Sequence, residues 1–337
     1  QVARDSAKGI VQANRSMRIG LSAFNAATDC PRGSNAESCG PGGSILQEVK
    51  HLSPVTGVTQ AQADQNYASL ISSIDALRAE ANTPLAETYY EVARYFRGLE
   101  RYQGSGTGSY TSPIQYRCQK NFGIVVTDGL PTHDRSFPSD DPDRDNPDVD
   151  GDNNLPNWDG LQPAVGQAYS DGNAPDDSSR NGEGDTLFLD DIAKFAFDID
   201  LKNSGNDLAG RSFNDTSNIA FTKQNLRNFN VGFALDNQML RDAAEYGRGA
   251  YYTASDSASL NLALNSALQS IREQTSSASA ITANSTRIQE DTLIYQARFN
   301  SADWTGEVRA FNVEEDGSVG EQAWSTNEAG KIPSAAS

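Results

Sequence analysis

Histidine, methionine and cysteine are all scarce in this chain: 337 residues hold two, two and three of them. Two histidines are too few for a histidine-based metal or proton-relay centre, and neither cysteine nor histidine falls at a zinc-ligand spacing. No apolar run approaches the roughly 20 residues that a membrane-spanning helix requires, and the amino terminus carries no apolar signal core. A nucleophile elbow is absent. The one glycine-rich stretch, Gly104 to Gly108, follows a helical pattern rather than a strand, the wrong context for a phosphate loop. His133 lies five residues after Asp128, too isolated a pair to argue acid-base work, and His51 falls in a strand-like segment. These absences argue against an enzyme. Positive charge is also short: 27 basic against 45 acidic residues leave a formal charge of -18, which disfavours nucleic acid and anionic membrane and favours cations or basic partners.

The acids are concentrated. Nine lie between Asp134 and Asp159, opposed only by Arg135 and Arg144. Within that run Asp148 to Asp159 (DVDGDNNLPNWD) places Asp148, Asp150, Asp152, Asn154 and Asp159 at positions 1, 3, 5, 7 and 12 of a calcium loop of the EF-hand type. Asn153 stands where glycine is usual, and Asp159 is shorter than the usual glutamate. The competing reading is a solvated acidic loop. Asp141, Asp143 and Asp145 repeat the spacing without the remainder of the loop.

Asn121 to Thr132 (NFGIVVTDGLPT) is the other informative stretch. A short unbroken apolar run, Phe122 to Val126, reads as a strand buried on both faces, and Asp128 just beyond its carboxyl end falls where open α/β sheets bind ligands. Around it the patterning predicts an amphipathic helix over residues 1–14 with Val2, Ala7, Ile10 and Val11 on one face. It predicts a hairpin from Met17–Phe24 and Ser44–Leu52, a helix over about 61–81, and another opened by Thr83-Pro84-Leu85. Gln103 to Ser112, rich in glycine and serine, reads as a flexible connector. Later segments alternate helix and strand: Thr186–Asp200, Asn230–Leu235, LRDAAEY, Gly249–Ala254 and Ser257–Gln274. That order predicts an α/β domain with a doubly wound, largely parallel sheet covered on both faces. It spans residues 1–275 with the acidic insert at about 134–185. From about 276 the alternating LIYQARFN and WTGEVRAFNV texture predicts a second, all-β domain to 337.

Cys30 and Cys39 bracket an eight-residue loop, PRGSNAES, a natural disulfide clip for an exported protein, or else two reduced loop thiols. Cys118 precedes the NFGIVV strand and is expected at the opposite edge of the sheet, so it is free or paired outside the chain.

A parallel sheet, Thr-Pro-Leu opening a helix and a strand ending in Thr-Asp-Gly resemble the von Willebrand factor A domain and its metal-ion-dependent adhesion site (MIDAS). The resemblance assigns Thr83 to the second metal loop and Asp128 to the third, and implies Mg2+ or Mn2+ there. The Asp-x-Ser-x-Ser motif of the first loop occurs nowhere in the 337 residues. On this resemblance the native protein is expected to be longer at both ends. The bland alternatives are that Thr83 caps its helix and that Asp128 caps a turn through Gly129. Three phrases, YRCQKNFGIVVTDGLPT, VGFALDNQMLRDAAEYGRGAYYTA and LIYQARFNSADWTGEVRAF, together resemble the PilY or PilC type of type IV pilus tip adhesin, in which an A domain precedes a β-propeller. The likeness covers Val2 to about Val313. It implies an extracellular protein at the tip of bacterial pili, with pilins or minor pilins and a host or surface ligand as partners, Ca2+ in the acidic loop, and the opening strands of a propeller at the carboxyl end. A calcium-stabilised structural pilus subunit with an inactive site, or an intracellular A domain assisting a chelatase or ATPase, are the other readings; the cysteine clip and the β domain speak against the last.

Overall fold

The computed structural model describes residues 1–26, 42–80, 82–132, 134, 188–214, 223–276, 281–283, 293–300, 305–313 and 319–326. These form two compact units, Gln1–Ser53 with Gln60–Ala267, and Pro54–Thr59 with Leu268–Ser337. The division falls inside the last helix rather than at the serine and alanine stretch after it.

The first unit is mixed α/β. Helix α1 (Val2–Ala13) is amphipathic as its spacing predicts: Val11 is buried and Ala7 and Ile10 pack inward, whereas Val2 at the frayed first turn is exposed. Strands β1 (Arg18–Phe24) and β2 (Gly43–His51) form the expected antiparallel hairpin. Helix α2 (Gln60–Ala76) stops five residues short of the predicted end. Helix α3 (Leu85–Arg97) is buried along most of its length and ends on Gly98, whose φ of 72° carries the left-handed turn, with Arg94 and Arg97 complementing the negative end of the helix dipole.

Strands β3 (Asn121–Thr127), β4 (Leu226–Phe233) and β5 (Arg248–Ala254) make a three-stranded parallel sheet in that order; helix α4 (Leu189–Asp198) precedes β4, and α5 (Gln238–Tyr246) joins β4 to β5. One face of the sheet, through Val125 and Leu226, meets the core of α3, α4 and α5. The other, through Ile124, Val231 and Tyr252, meets Ile10 of α1 and Leu260 and Leu264 of α6 (Ser257–Ser276). Helices therefore cover both faces, as the strand and helix alternation predicts. The hairpin is a separate two-stranded sheet. Helix α3 spans both: a Cβ on Gly43 would collide with Thr88, one on Gly123 would lie 2.8 Å from the Tyr89 ring, and the Tyr95 hydroxyl accepts a 2.9 Å hydrogen bond from the Val49 amide.

Two expectations are corrected. The Phe122–Val126 run is not buried on both faces: Ile124 and Val125 are half-buried and Val126 is 38% exposed. Among the described residues β3 pairs only with β4, so its side chains gain cover from helices but none from a strand on the far side. The Gln103–Ser112 connector is ordered. Its main chain is held by the buried Glu91 carboxylate, which accepts from the amides of Tyr102 and Gln103 and from the Tyr110 hydroxyl at 2.6 Å, while Ser105 donates to Ser44 Oγ at 2.8 Å. Burial and that carboxylate push the Tyr110 phenol well up. Glycine is needed at 104, because a Cβ would strike the Tyr110 hydroxyl.

The second unit holds β6 (Ile281–Ala283), β7 (Leu293–Asn300), β8 (Thr305–Val313) and β9 (Val319–Ser325), antiparallel and in sequential order. Ala310 is buried, and Glu307 accepts from Ser325 Oγ at 2.6 Å and pairs with Arg309 at 2.8 Å.

Candidate functional site

At the carboxyl end of β3 the chain turns through Thr127-Asp128-Gly129. The turn is closed by Thr127, whose hydroxyl donates to the Gly129 carbonyl at 3.0 Å and accepts from the Gly129 amide at 3.3 Å. Asp128 does not cap it. Its carboxylate is exposed and makes no hydrogen bond with a described residue.

The segment entering α3 lies against this turn. Thr83 and Thr132 exchange hydrogen bonds, Thr83 N to Thr132 Oγ1 at 3.0 Å and Thr132 N to Thr83 O at 3.1 Å. A Cβ on Gly129 would stand 3.7 Å from Thr83 Oγ1. The two loops that carry Thr83 and Asp128, far apart in sequence, are thus joined at one end of the parallel sheet.

Thr83 does not cap α3. The N-cap position is Pro84, with no side-chain cap. The orphan amides are met by Asp134, whose Oδ2 accepts from Ala86 N at 2.9 Å and Oδ1 from Glu87 N at 2.8 Å. Asp134 is fully buried, and its carboxyl is pushed well above the ordinary value, first by burial and then by the neighbouring carboxylate of Glu87. Glu87 is itself buried and accepts from the Gly42 amide at 2.5 Å. Neither residue drew notice in the sequence: Asp134 reads as the first acid of the acidic run, and its partner Ala86 is 48 residues away. No local cue announces a cap supplied from that distance.

Among the described residues no group of three or more histidine, cysteine, aspartate or glutamate side chains could hold a metal ion. What Thr83 and Asp128 offer is one hydroxyl and one exposed carboxylate, both hard oxygen donors suited to Mg2+ or Mn2+ and too few for a closed shell. The calcium-loop residues Asp148, Asp150, Asp152, Asn154 and Asp159, together with Asp141, Asp143 and Asp145, lie outside the described residues, as do Cys30, Cys39 and His133. Cys118 is a free, half-buried thiol before β3, raised by burial. His51 ends β2 in register with Arg18, and its pKa is lowered by burial and then by that arginine. No described helix is long and apolar enough to cross a membrane. Comparison with family models, curated proteins and solved structures finds no match to this chain.

Proposed function

We propose that the chain is a cation-dependent adhesion module, with Thr83 and Asp128 contributing to one divalent-metal site at the carboxyl end of the parallel sheet. The supporting observation is that both bland roles are filled by other residues. Asp134 caps α3 and Thr127 closes the turn, so among the described residues neither role falls to the Thr83 hydroxyl or the Asp128 carboxylate, which stand on joined loops. A bound Mg2+ or Mn2+ would supply a Lewis-acidic position for a ligand carboxylate, with water filling what the two side chains leave open. Thr83 would meet the ion directly or through water, and Asp128 would act mainly by accepting hydrogen bonds from groups around it.

The pilus context rests on the three phrases that resemble PilY or PilC adhesins. In that reading the protein is exported, sits at the tip of a type IV pilus, contacts pilins or minor pilins, and presents the metal site to a host or surface ligand. Propeller blades are four-stranded sheets, and the sequential four-stranded sheet of the second unit supports this reading. The Asp148–Asp159 loop would bind Ca2+ and order the acidic insert. A Cys30 to Cys39 disulfide would clip the hairpin loop. The second reading is a structural pilus subunit with an inactive site, favoured by the small number of donors the described loops supply.

Manganese titration followed by water-proton relaxation tests the site on the intact protein. Asp128→Ala and Thr83→Ala should each remove the Mn2+ response, and Asp128→Ala should shift stability by no more than about 0.5 kcal/mol, as expected of an exposed residue. A Ca2+ titration of Asp148→Ala, Asp150→Ala separates the second ion. Unchanged Mn2+ binding in Asp128→Ala would eliminate the adhesion site; unchanged adhesion of cells whose pili carry Asp128→Ala favours the structural subunit.

A further inference from the structure

At the opposite end of the parallel sheet, β5 begins with an arginine and β4 carries one at its second position. Arg248, the first residue of β5, has a φ of 54°, a left-handed conformation that a residue with a side chain rarely adopts. Its neighbours show why. A Cβ on Gly247 would lie 2.6 Å from Asn228 Cβ, and one on Gly249 would run into the Asn228 carbonyl, so the chain is pressed onto β4 on both sides of Arg248. The register then slips from Asn228↔Arg248 to Asn230↔Tyr251, a bulge that leaves Gly249 and Ala250 opposite Phe229 alone.

The bulge leaves Arg248 exposed and without an ion pair to any described residue. Arg227, the second residue of β4, lies across the Phe197 ring with its guanidinium carbon 5.6 Å from the centroid. Its pKa is lowered by burial and then by Arg248, so the two cations are close enough to repel. Both line a cleft of about 490 Å³ with Arg241 and the strand residues Gly249, Ala250 and Tyr251. Arg241 is paired with Asp236, and Glu245 is the carboxylate on the cleft wall. In a chain of net charge -18, a cleft with three arginines and one glutamate is a local reversal of sign.

Four of the cleft residues, Arg248 to Tyr251, belong to β5, a strand with an open edge. Among the described residues β5 pairs only with β4, so its other edge has main-chain groups that no described strand takes up. Edges left exposed are usually blunted by lysine, proline or mid-strand charge. RGAYYTA has none of these, its one charge being Arg248 at the start; its bulge, another such device, lies before Tyr251, and Tyr251 to Ala254 pair regularly beyond it.

We propose that the open edge of β5 receives an extended, carboxylate-rich peptide segment of a partner protein as an added strand, anchored by Arg248. Strand addition supplies main-chain hydrogen bonds, and the arginine chooses acidic side chains. A long polyanion such as nucleic acid meets the repulsion of the whole chain instead. This inference is independent of the metal site.

The test uses the intact protein and a fluorescein-labelled peptide alternating valine with glutamate. Its competitors are the same peptide with lysine for glutamate, the same peptide N-methylated at alternate residues, inorganic phosphate and single-stranded DNA. Saturable binding of the glutamate peptide is expected, with amide shifts confined to β5 and the cleft. Arg248→Glu should weaken it by roughly tenfold or more, the size of a lost charge-assisted pair. The lysine and N-methylated peptides should fail to bind. No binding, unchanged binding to Arg248→Glu, or equal binding of the N-methylated peptide overturns the proposal. The N-methyl arm needs no altered protein, so it decides the matter even if a variant misfolds. Displacement by phosphate with no loss on N-methylation would identify a simple anion site, and preference for DNA a nucleic-acid site; either would overturn strand addition.

Discussion

Strands β3 and β4 pair residue for residue, from Asn121↔Leu226 to Thr127↔Gly232, yet they live in different environments. On β4, Leu226, Phe229 and Val231 are fully buried, and so are two asparagines. Asn230 donates to the Leu240 carbonyl at 2.6 Å, and Asn228 donates to Asn230 Oδ1 at 3.0 Å and to the Ala243 carbonyl at 3.3 Å, tying the strand to α5. On β3 the more apolar sequence is half-exposed, and the exposed Asp128 follows it. Hydrophobicity alone does not set depth. The strand with neighbours on both edges carries the stability, and the strand with one described neighbour carries the candidate chemistry.

The largest difference between the two is expected from their facing rings. Phe122 and Phe229 stand 6.2 Å apart, but only Phe229 is fully buried. Phe229→Ala should cost about 3–5 kcal/mol in chemical denaturation and Phe122→Ala about 1–2 kcal/mol, since less of its surface leaves water. Equal losses would mean that β3 is covered in solution. Next, Asn230→Ala should cost about 1–3 kcal/mol, because it removes the side-chain donor to the buried Leu240 carbonyl and one of the two acceptors of the Asn228 amide. Asn230→Asp, which cannot donate to the Leu240 carbonyl when ionised, should cost at least as much.

The exit of β3 can be probed through Asp134. Asp134→Ala should cost about 1 kcal/mol as a lost helix cap. Its folded-state pKa is raised, so the folded protein holds this proton more tightly than the unfolded chain does. Stability from this group is therefore full below the ordinary value of 3.8 and is lost as pH rises through the raised value. Denaturation midpoints across that window should fall with pH in the native sequence and flatten in Asp134→Asn. A slope unchanged by Asp134→Asn would assign the titration to another group. The smallest effect is expected at Val126: Val126→Thr on the open side of β3 should change stability by no more than about 0.5 kcal/mol.

Much of the fold was legible. The hairpin, the helix opened by Pro84, the strands after residues 120 and 247 and the last helix of the α/β unit fall close to where periodicity and turn residues put them, whereas β4 begins at Leu226, four residues before the expected Asn230. So did the β texture near the carboxyl end. The helix amide cap was not legible, because Asp134 and Ala86 meet only through the folded loop. The ordered connector was missed for a related reason. Glycine and serine read as flexible, but Glu91 supplies an acceptor from the middle of α3 that turns them into a fastened loop.

Asp128 was nominated by its place after a strand and Thr83 by its place before Pro84, both local features. That these loops hydrogen-bond to each other, and that Thr127 and Asp134 take the turn and cap roles, depends on groups brought together across tens of residues. Element types, amphipathic faces and the excess of negative charge can be read directly along the chain, since they follow from composition, neighbouring residues and the 3.6 and 2.0 residue periods. Which apolar strand is central, where arginines gather against that negative charge, and which groups take the cap and turn roles are set only in the folded chain. Those outcomes depend on what lies beside a residue in space, and strand pairing and helix docking set that only once the chain is folded.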